Sequence, residues 1–423
     1  MRQVLTRTQQ GDTELMKLPN TMTAPGSVRL AKSVLLAGFF ILTACSNEAD
    51  KQTDRSQPVA MDATPEVALG RLIFHDATLS ASGLQSCASC HSPLHAHAQP
   101  NALAVQLGGP AMDQPGTRAV PSLRYLARTP ALSMDEAGTS SGGFNQDGSA
   151  ATLAEQSERP LLAANEMANI TRAAVVEKLR RAPYAAQFIT VFGKGSLDDV
   201  NGAFNTMALA LQQYQLLAPE FAPFDSRYDL YLAGKVQLTV AEARGLNLFN
   251  EEAKGNCAAC HPSAKGDDGA PPLFTDFTYD SLGVPRNAAI AANVDAAHVD
   301  LGLCQSGRGG KFSQAAECGK FKVPTLRNVA TRQVFFHNGQ FKSLREAVAF
   351  YVQRDTHPAK WYPAAAGGRV KKIDDLPLAY HGNVNRDEAP YGLKPGDKPA
   401  LSDQEIDDLV TFLATLNDGY GIK

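Results

Sequence analysis

Two pentapeptides of the same pattern carry the strongest chemistry in this chain: Cys87-Ala88-Ser89-Cys90-His91 and Cys257-Ala258-Ala259-Cys260-His261. The C-x-x-C spacing puts two thiols on one turn, where they can add across the two vinyl groups of a haem. The imidazole that follows then falls beneath the iron as its proximal ligand. A zinc ribbon would hold its cysteine pairs about 15–20 residues apart, whereas these lie about 170 residues apart. Two covalently bound c-type haems are therefore expected, attached at Cys87, Cys90, Cys257 and Cys260, with His91 and His261 on the metals. Of the seven cysteines, Cys45, Cys304 and Cys318 remain. An oxidising compartment allows a disulfide between the last two.

Helices must position these turns, and their signals are duplicated. Leu69-Gly70-Arg71-Leu72-Ile73-Phe74 precedes the first motif and Arg244-Gly245-Leu246-Asn247-Leu248-Phe249 the second. Thr64-Pro65-Glu66 places proline at a first helical position, and Thr239-Val240-Ala241-Glu242 is a capping box. Each half also supplies a closing helix. Ser402-Asp403-Gln404-Glu405 is a third capping box, followed by Ile406, Leu409, Val410, Leu413 and Leu416 at helical spacing. Its counterpart is Val200–Leu217, with Phe204, Met207, Ala208, Leu211 and Tyr214 on one face. No run of alternating strand pattern competes. The expected fold is all-α, two tandem cytochrome c-like haem domains over 65–225 and 226–423, meeting near residues 218–238.

The 423 residues, 44% hydrophobic and 20% charged, describe globular material. A net charge of −3 excludes the basic face of a nucleic-acid binder. Arg29 and Lys32 precede an apolar run from Ser33 to Ala44, too short for the roughly 20 residues of a spanning helix but the length of a signal-peptide core. Leu42-Thr43-Ala44-Cys45 resembles a bacterial lipobox. Residues 1–44 are thus read as a lipoprotein-type signal peptide and 45–64 as a flexible tether. Periplasmic export with a lipid anchor on Cys45 at the outer membrane is expected, the lipid being the only link to a membrane.

From about Thr64 to its end the chain resembles the bacterial di-haem cytochrome c peroxidases, in the wider group that includes the MauG type. Leu69–His91 is similar to the family's opening. Asp147-Gly148, Leu153-Ala154-Glu155-Gln156, Pro160, Asn165-Glu166-Met167, Pro324–Val329, His337-Asn338-Gly339 and Ser343-Leu344 match further motifs. The resemblance implies peroxide cleavage at the first haem, with Glu166 as the distal general base and acid, Gln156 as its partner amide and Pro160 lining the pocket. Tyr351 falls where the peroxidases have Met and the MauG type has Tyr. All eight methionines lie at or before Met207, so the second haem cannot take a methionine from its own half. Its other candidates are His298, His337, His357 and His381.

Several positions depart from the family. Gln146 fills the slot where a Trp usually stands between the haems, and Trp361, the only Trp, lies elsewhere. No His occurs around Gly116–Pro121, where the peroxidases carry a removable distal ligand, so the first haem is expected open at rest. His95 and His97 are expected as exposed loop residues. The family's inter-domain calcium site is poorly matched, with Ala119, Arg332 and Val334 where its ligands would fall, which argues against calcium. The leading reading is a peroxidase reducing hydrogen peroxide with electrons from a small donor such as a cytochrome c or cupredoxin. Oxidation of a partner protein's side chains is the second reading and a non-catalytic di-haem electron carrier the third.

Overall fold

The computed structural model describes residues 64–365 and 367–421. The signal peptide, Cys45 and most of the tether lie outside the described residues. Among these residues the chain forms eleven α-helices: α1 Pro65–His75, α2 Cys87–Cys90, α3 Leu153–Leu162, α4 Arg172–Arg181, α5 Ala185–Phe192, α6 Val200–Leu217, α7 Arg227–Leu232, α8 Val240–Asn250, α9 Leu344–Gln353, α10 Pro358–Trp361 and α11 Asp403–Ala414.

The starts follow the capping chemistry. Thr64 accepts from the Val67 N–H ahead of α1 with Pro65 at its first position, and complete capping boxes on Thr239 and Ser402 open α8 and α11. Thr171 caps α4 and Ser343 caps α9 in the same way. Each side-chain oxygen satisfies an amide that has no partner inside its helix, worth about 1 kcal/mol.

Two apolar cores result. The first gathers residues between Val67 and Phe221, with α1 crossing α6 and α3 and α4 packed on α6. The second gathers residues between Tyr228 and Leu416, with α8 crossing α11 and α9 packed on α11. Phe74, Phe204 and Phe221 in one, and Phe249, Phe274 and Phe412 in the other, are fully buried, each contributing about 1.5–3 kcal/mol.

The expectation of no strands needs correction. Three two-residue antiparallel pairs occur: Leu107–Gly108 (β1) with Gln114–Pro115 (β2), Ser133–Met134 (β3) with Ser140–Ser141 (β4), and Tyr279–Asp280 (β5) with Phe321–Lys322 (β6). Ladders this short carry no alternating pattern that a sequence could display. The third joins segments far apart in the chain. Cys304 and Cys318 form a disulfide.

Polar contacts tie the residues of the two cores together. Asp418 accepts from Tyr125 Oη at 2.5 Å, Arg124 Nη1 at 2.8 Å and Asn328 Nδ2 at 2.6 Å. Arg327 grips Asp229 through two bonds of 2.8 and 2.9 Å and lies over the Tyr125 and Phe224 rings.

Candidate functional site

The first motif is a single turn of helix. Cys87 opens α2, and the His91 N–H closes it on the Cys87 carbonyl at 2.8 Å. His91 Nδ1 lies 3.2 Å from the His97 carbonyl and 3.1 Å from that of Pro121. Carbonyls can only accept, so Nδ1 carries the proton and Nε2 is left as a lone-pair donor. Burial, partly offset by those two bonds, pulls His91 down to about 4. A neutral imidazole is the form that binds metal.

The second motif repeats the arrangement. The His261 N–H bonds to the Cys257 carbonyl at 2.9 Å, and Nδ1 faces the Phe274 carbonyl at 2.7 Å. Burial lowers this imidazole as well. All four motif thiols are free, and burial pushes Cys87, Cys257 and Cys260 up to about 12. These are neutral thiols beside neutral imidazoles, and they open on a common, mostly apolar cavity of about 860 Å³. The donor set and the cavity therefore fit a large apolar macrocycle bound by two thioethers and one imidazole in each half.

Gln156, Pro160 and Glu166 line that cavity too. Gln156 and Pro160 share a face of α3, one turn apart. Pro160 has no N–H, so the Gln156 carbonyl loses its helical partner. The Pro160 carbonyl instead accepts from Met167 at 3.0 Å, folding the Asn165-Glu166-Met167 loop back over the helix. On the other side, Gly109 donates to the Glu166 carbonyl at 2.8 Å. Gly108 in β1 packs so closely that a Cβ would stand 2.4 Å from the Asn165 carbonyl. The backbone of Glu166 is thus clamped while its side chain opens into the cavity. Burial alone raises its carboxyl, with no cation beside it. No hydrogen bond joins it to Gln156 among the described residues.

Tyr351, on α9, lines the second part of the cavity. Its ring lies 5.5 Å from Phe336 and 6.3 Å from Tyr391. Burial first, and the charge of Asp280 second, raise its phenol. Of the four competing histidines, His298 and His337 also line the cavity. His357 bonds Thr356 and His381 bonds the Leu376 carbonyl.

Other expectations meet the structure as follows. Gln146 lines the cavity and donates to the Ala119 carbonyl at 3.2 Å. Trp361 is buried against Phe341 and Phe350, away from the cavity. His97 corrects the expectation of an exposed loop residue: it is 1% exposed and stacks on Phe221 at 4.1 Å. A loop whose carbonyl must hold His91 is drawn into the core, and its side chain goes with it.

The sequence reading missed a half-buried charge cluster that lines the same cavity. Arg118 bonds Asp147 at 2.6 Å and Asp300 at 2.6 and 2.7 Å, and lies over the Phe321 ring. Phe321 in turn stacks on His337, centroids 3.7 Å apart and 9° from parallel. Lys322 donates to the Gly143 carbonyl, and burial lowers its ammonium to about 8. Arg118 and Asp300 are 182 residues apart, so no local signal could pair them.

Comparison with known proteins agrees with this arrangement. The family described as di-haem cytochrome c peroxidase matches residues 64–237. The methylamine utilization protein MauG of Paracoccus denitrificans is 39% identical over 362 residues, covering 83% of this chain and 88% of that one. The cytochrome c551 peroxidase of Nitrosomonas europaea is 29% identical over 293 residues, 67% of this chain and 73% of its own. The crystal structure of the diheme peroxidase BthA from Burkholderia thailandensis superposes with a TM-score of 0.77 at 40% identity, covering 84% and 86% of the two chains.

Proposed function

Since the chain belongs to the di-haem cytochrome c peroxidase family, in the group that includes MauG, and is an oxidoreductase acting on peroxide, we propose that it reduces hydrogen peroxide to water with two electrons from a small donor protein. The peroxide would be cleaved at the haem held by Cys87, Cys90 and His91. Each haem would belong to its own cytochrome c-like domain, 65–225 and 226–423, and Cys257, Cys260 and His261 would hold the one that relays electrons. Bound there, a haem would supply the Lewis-acid and redox centre for O–O cleavage. Per turnover, one peroxide, two electrons and two protons give two waters.

The protein's part is proton handling and orientation. Glu166 takes the proton from the inner peroxide oxygen and returns it to the outer one, so that the leaving group departs as water. Its raised carboxyl suits both halves of that task. Gln156 can donate its amide N–H to an oxygen in the same pocket, and Pro160 presents no N–H that would compete. Tyr351, which lines the same cavity as His261, would be the second side chain to hold that haem. A phenol kept neutral by burial loses its proton only beside a strong cation, so ligation and ionisation of Tyr351 would occur together.

The observation that carries this reading is the Glu166 carboxyl, on a clamped backbone and with no cation beside it, opening on the cavity that both C-x-x-C-H turns share. Titration of the ferric holoprotein with hydrogen peroxide, followed by absorption and EPR, tests it. One high-spin signal should be consumed stoichiometrically in the native protein and not in Glu166→Gln. Loss of the oxidised signal on adding reduced small cytochrome supports the peroxidase. A second reading, oxidation of a partner protein's side chains, is favoured by Tyr351 and by the likeness to MauG. A long-lived two-electron-oxidised state would support it. Periplasmic location with a lipid on Cys45 completes the proposal, and no helix among the described residues is long and apolar enough to cross a membrane.

A further inference from the structure

Among the described residues Arg332 makes no ion pair. Arg118, Arg327 and Arg354 each meet a carboxylate at 2.6–2.8 Å. Arg332 instead meets carbonyls: Nε donates to Val334 at 3.3 Å and Nη2 to Val120 at 3.1 Å. Its Nη1 makes no hydrogen bond among the described residues, and the side chain lines the cavity. Burial alone acts on the guanidinium, pulling it down to about 10. Arg332 is half-buried, and its guanidinium can answer an anion seated in the cavity.

The two carbonyls it joins come from different halves. Val120 precedes Pro121, whose carbonyl helps fix His91 Nδ1. Val334 precedes the loop carrying His337, whose carbonyl accepts from the Ala119 N–H at 2.7 Å. The guanidinium therefore pins the loop behind the first imidazole to the second half.

These are the positions where the family resemblance would place a divalent cation, and the residues do not fit one. Ala119 has no ligating side chain, and its carbonyl already accepts from Gln146. The Val334 carbonyl is taken by Arg332 itself. No cluster of three or more His, Cys, Asp or Glu able to hold a metal occurs among the described residues.

We propose that the Arg332 guanidinium is a chain-borne cation in place of that divalent ion, bridging Val120 and Val334 and turning Nη1 toward the carboxylates of a haem seated on His91. The proposal rests on the di-haem reading above. A charge fixed to the chain cannot be removed by a chelator, and beside a haem held on His91 it would favour the reduced state. The planar fork reaches two carbonyls at once, which an ammonium does not do as well.

The test uses the holoprotein, the Arg332→Gln and Arg332→Lys variants, and a haem count on each. Spectra and unfolding midpoint of the native protein should not change with EGTA or added calcium. Arg332→Gln, with two haems attached, should show the His91-side haem at a more negative potential and a lower unfolding midpoint. Arg332→Lys should recover the potential and only part of the stability. A native spectrum that EGTA alters and calcium restores overturns the proposal, and needs no variant to fold. So does an Arg332→Gln protein with native potential and midpoint. Fewer than two haems in the native protein would instead overturn the di-haem reading.

Discussion

Gly70 and Gly245 hold equivalent places in the two halves. A Cβ on Gly70 would stand 2.1 Å from the Ala210 carbonyl of α6, and one on Gly245 would stand 2.2 Å from the Asp408 carbonyl of α11. Each lies in the helix that precedes a C-x-x-C-H turn, where it crosses the closing helix of its half. Glycine inside a helix costs about 0.5–1 kcal/mol relative to alanine. Here that cost is offset by a backbone approach no other residue permits. The internal repeat visible in the sequence is thus a repeated helix crossing.

Gly245→Ala should therefore destabilise the protein although alanine is the better helix former. Forcing apart α8 and α11 is expected to cost about 1–3 kcal/mol, read from denaturant unfolding of the holoprotein. A variant as stable as the native chain would show that the crossing can relax.

Glu166→Gln should lower the rate of peroxide consumption by about 10²–10⁴-fold without lowering the unfolding midpoint. The sign follows from burial. The folded carboxyl is raised above its ordinary 4.5, so folding favours the protonated form and any stability it lends fades as pH rises through the raised value. At neutral pH the charged form is a burden that Gln removes. In the native enzyme the rate should fall with pH through an apparent value above 4.5. An acid limb that persists in Glu166→Gln would assign it to another group.

Tyr351→Met should move the second haem to a higher potential and change its low-spin EPR signature, because Met opposite His raises the potential relative to an anionic oxygen ligand. Haem content should stay at two. Spectroelectrochemistry of the variant decides the matter, and an unchanged low-potential haem would remove Tyr351 from the metal.

Asp418→Ala should cost about 3–5 kcal/mol. It would leave Arg124, at 15% side-chain exposure, without the one carboxylate it meets among the described residues, and take a partner from Tyr125 and Asn328. Thermal unfolding should show the loss, and a shift comparable to that of an exposed ion pair, below about 1 kcal/mol, would mean that water replaces the carboxylate.

The C-x-x-C-H turns and the main helices were legible because their signals are local. Two thiols and an imidazole within five residues, a capping hydroxyl three residues before its acid, and apolar side chains at 3.6-residue spacing all act over one or two turns. Thr64, Thr239 and Ser402 accordingly start helices where the sequence places them. Gln156, Pro160, Glu166 and Tyr351 stood out only through family likeness, since a carboxylate or a phenol carries no local mark of what it will face.

What the tertiary structure alone decided concerns contacts between distant segments. His97 is near His91 in sequence but enters the core, because its carbonyl holds the His91 ring and its own ring meets Phe221. Two-residue ladders such as β5–β6 form where loops pass one another. Arg118 finds Asp300, and Arg332 finds two carbonyls and no acid. A charged side chain has the same identity paired or unpaired. Its partner is set by the path of the backbone hundreds of residues away, and that path is fixed only when the two cores close around their shared cavity.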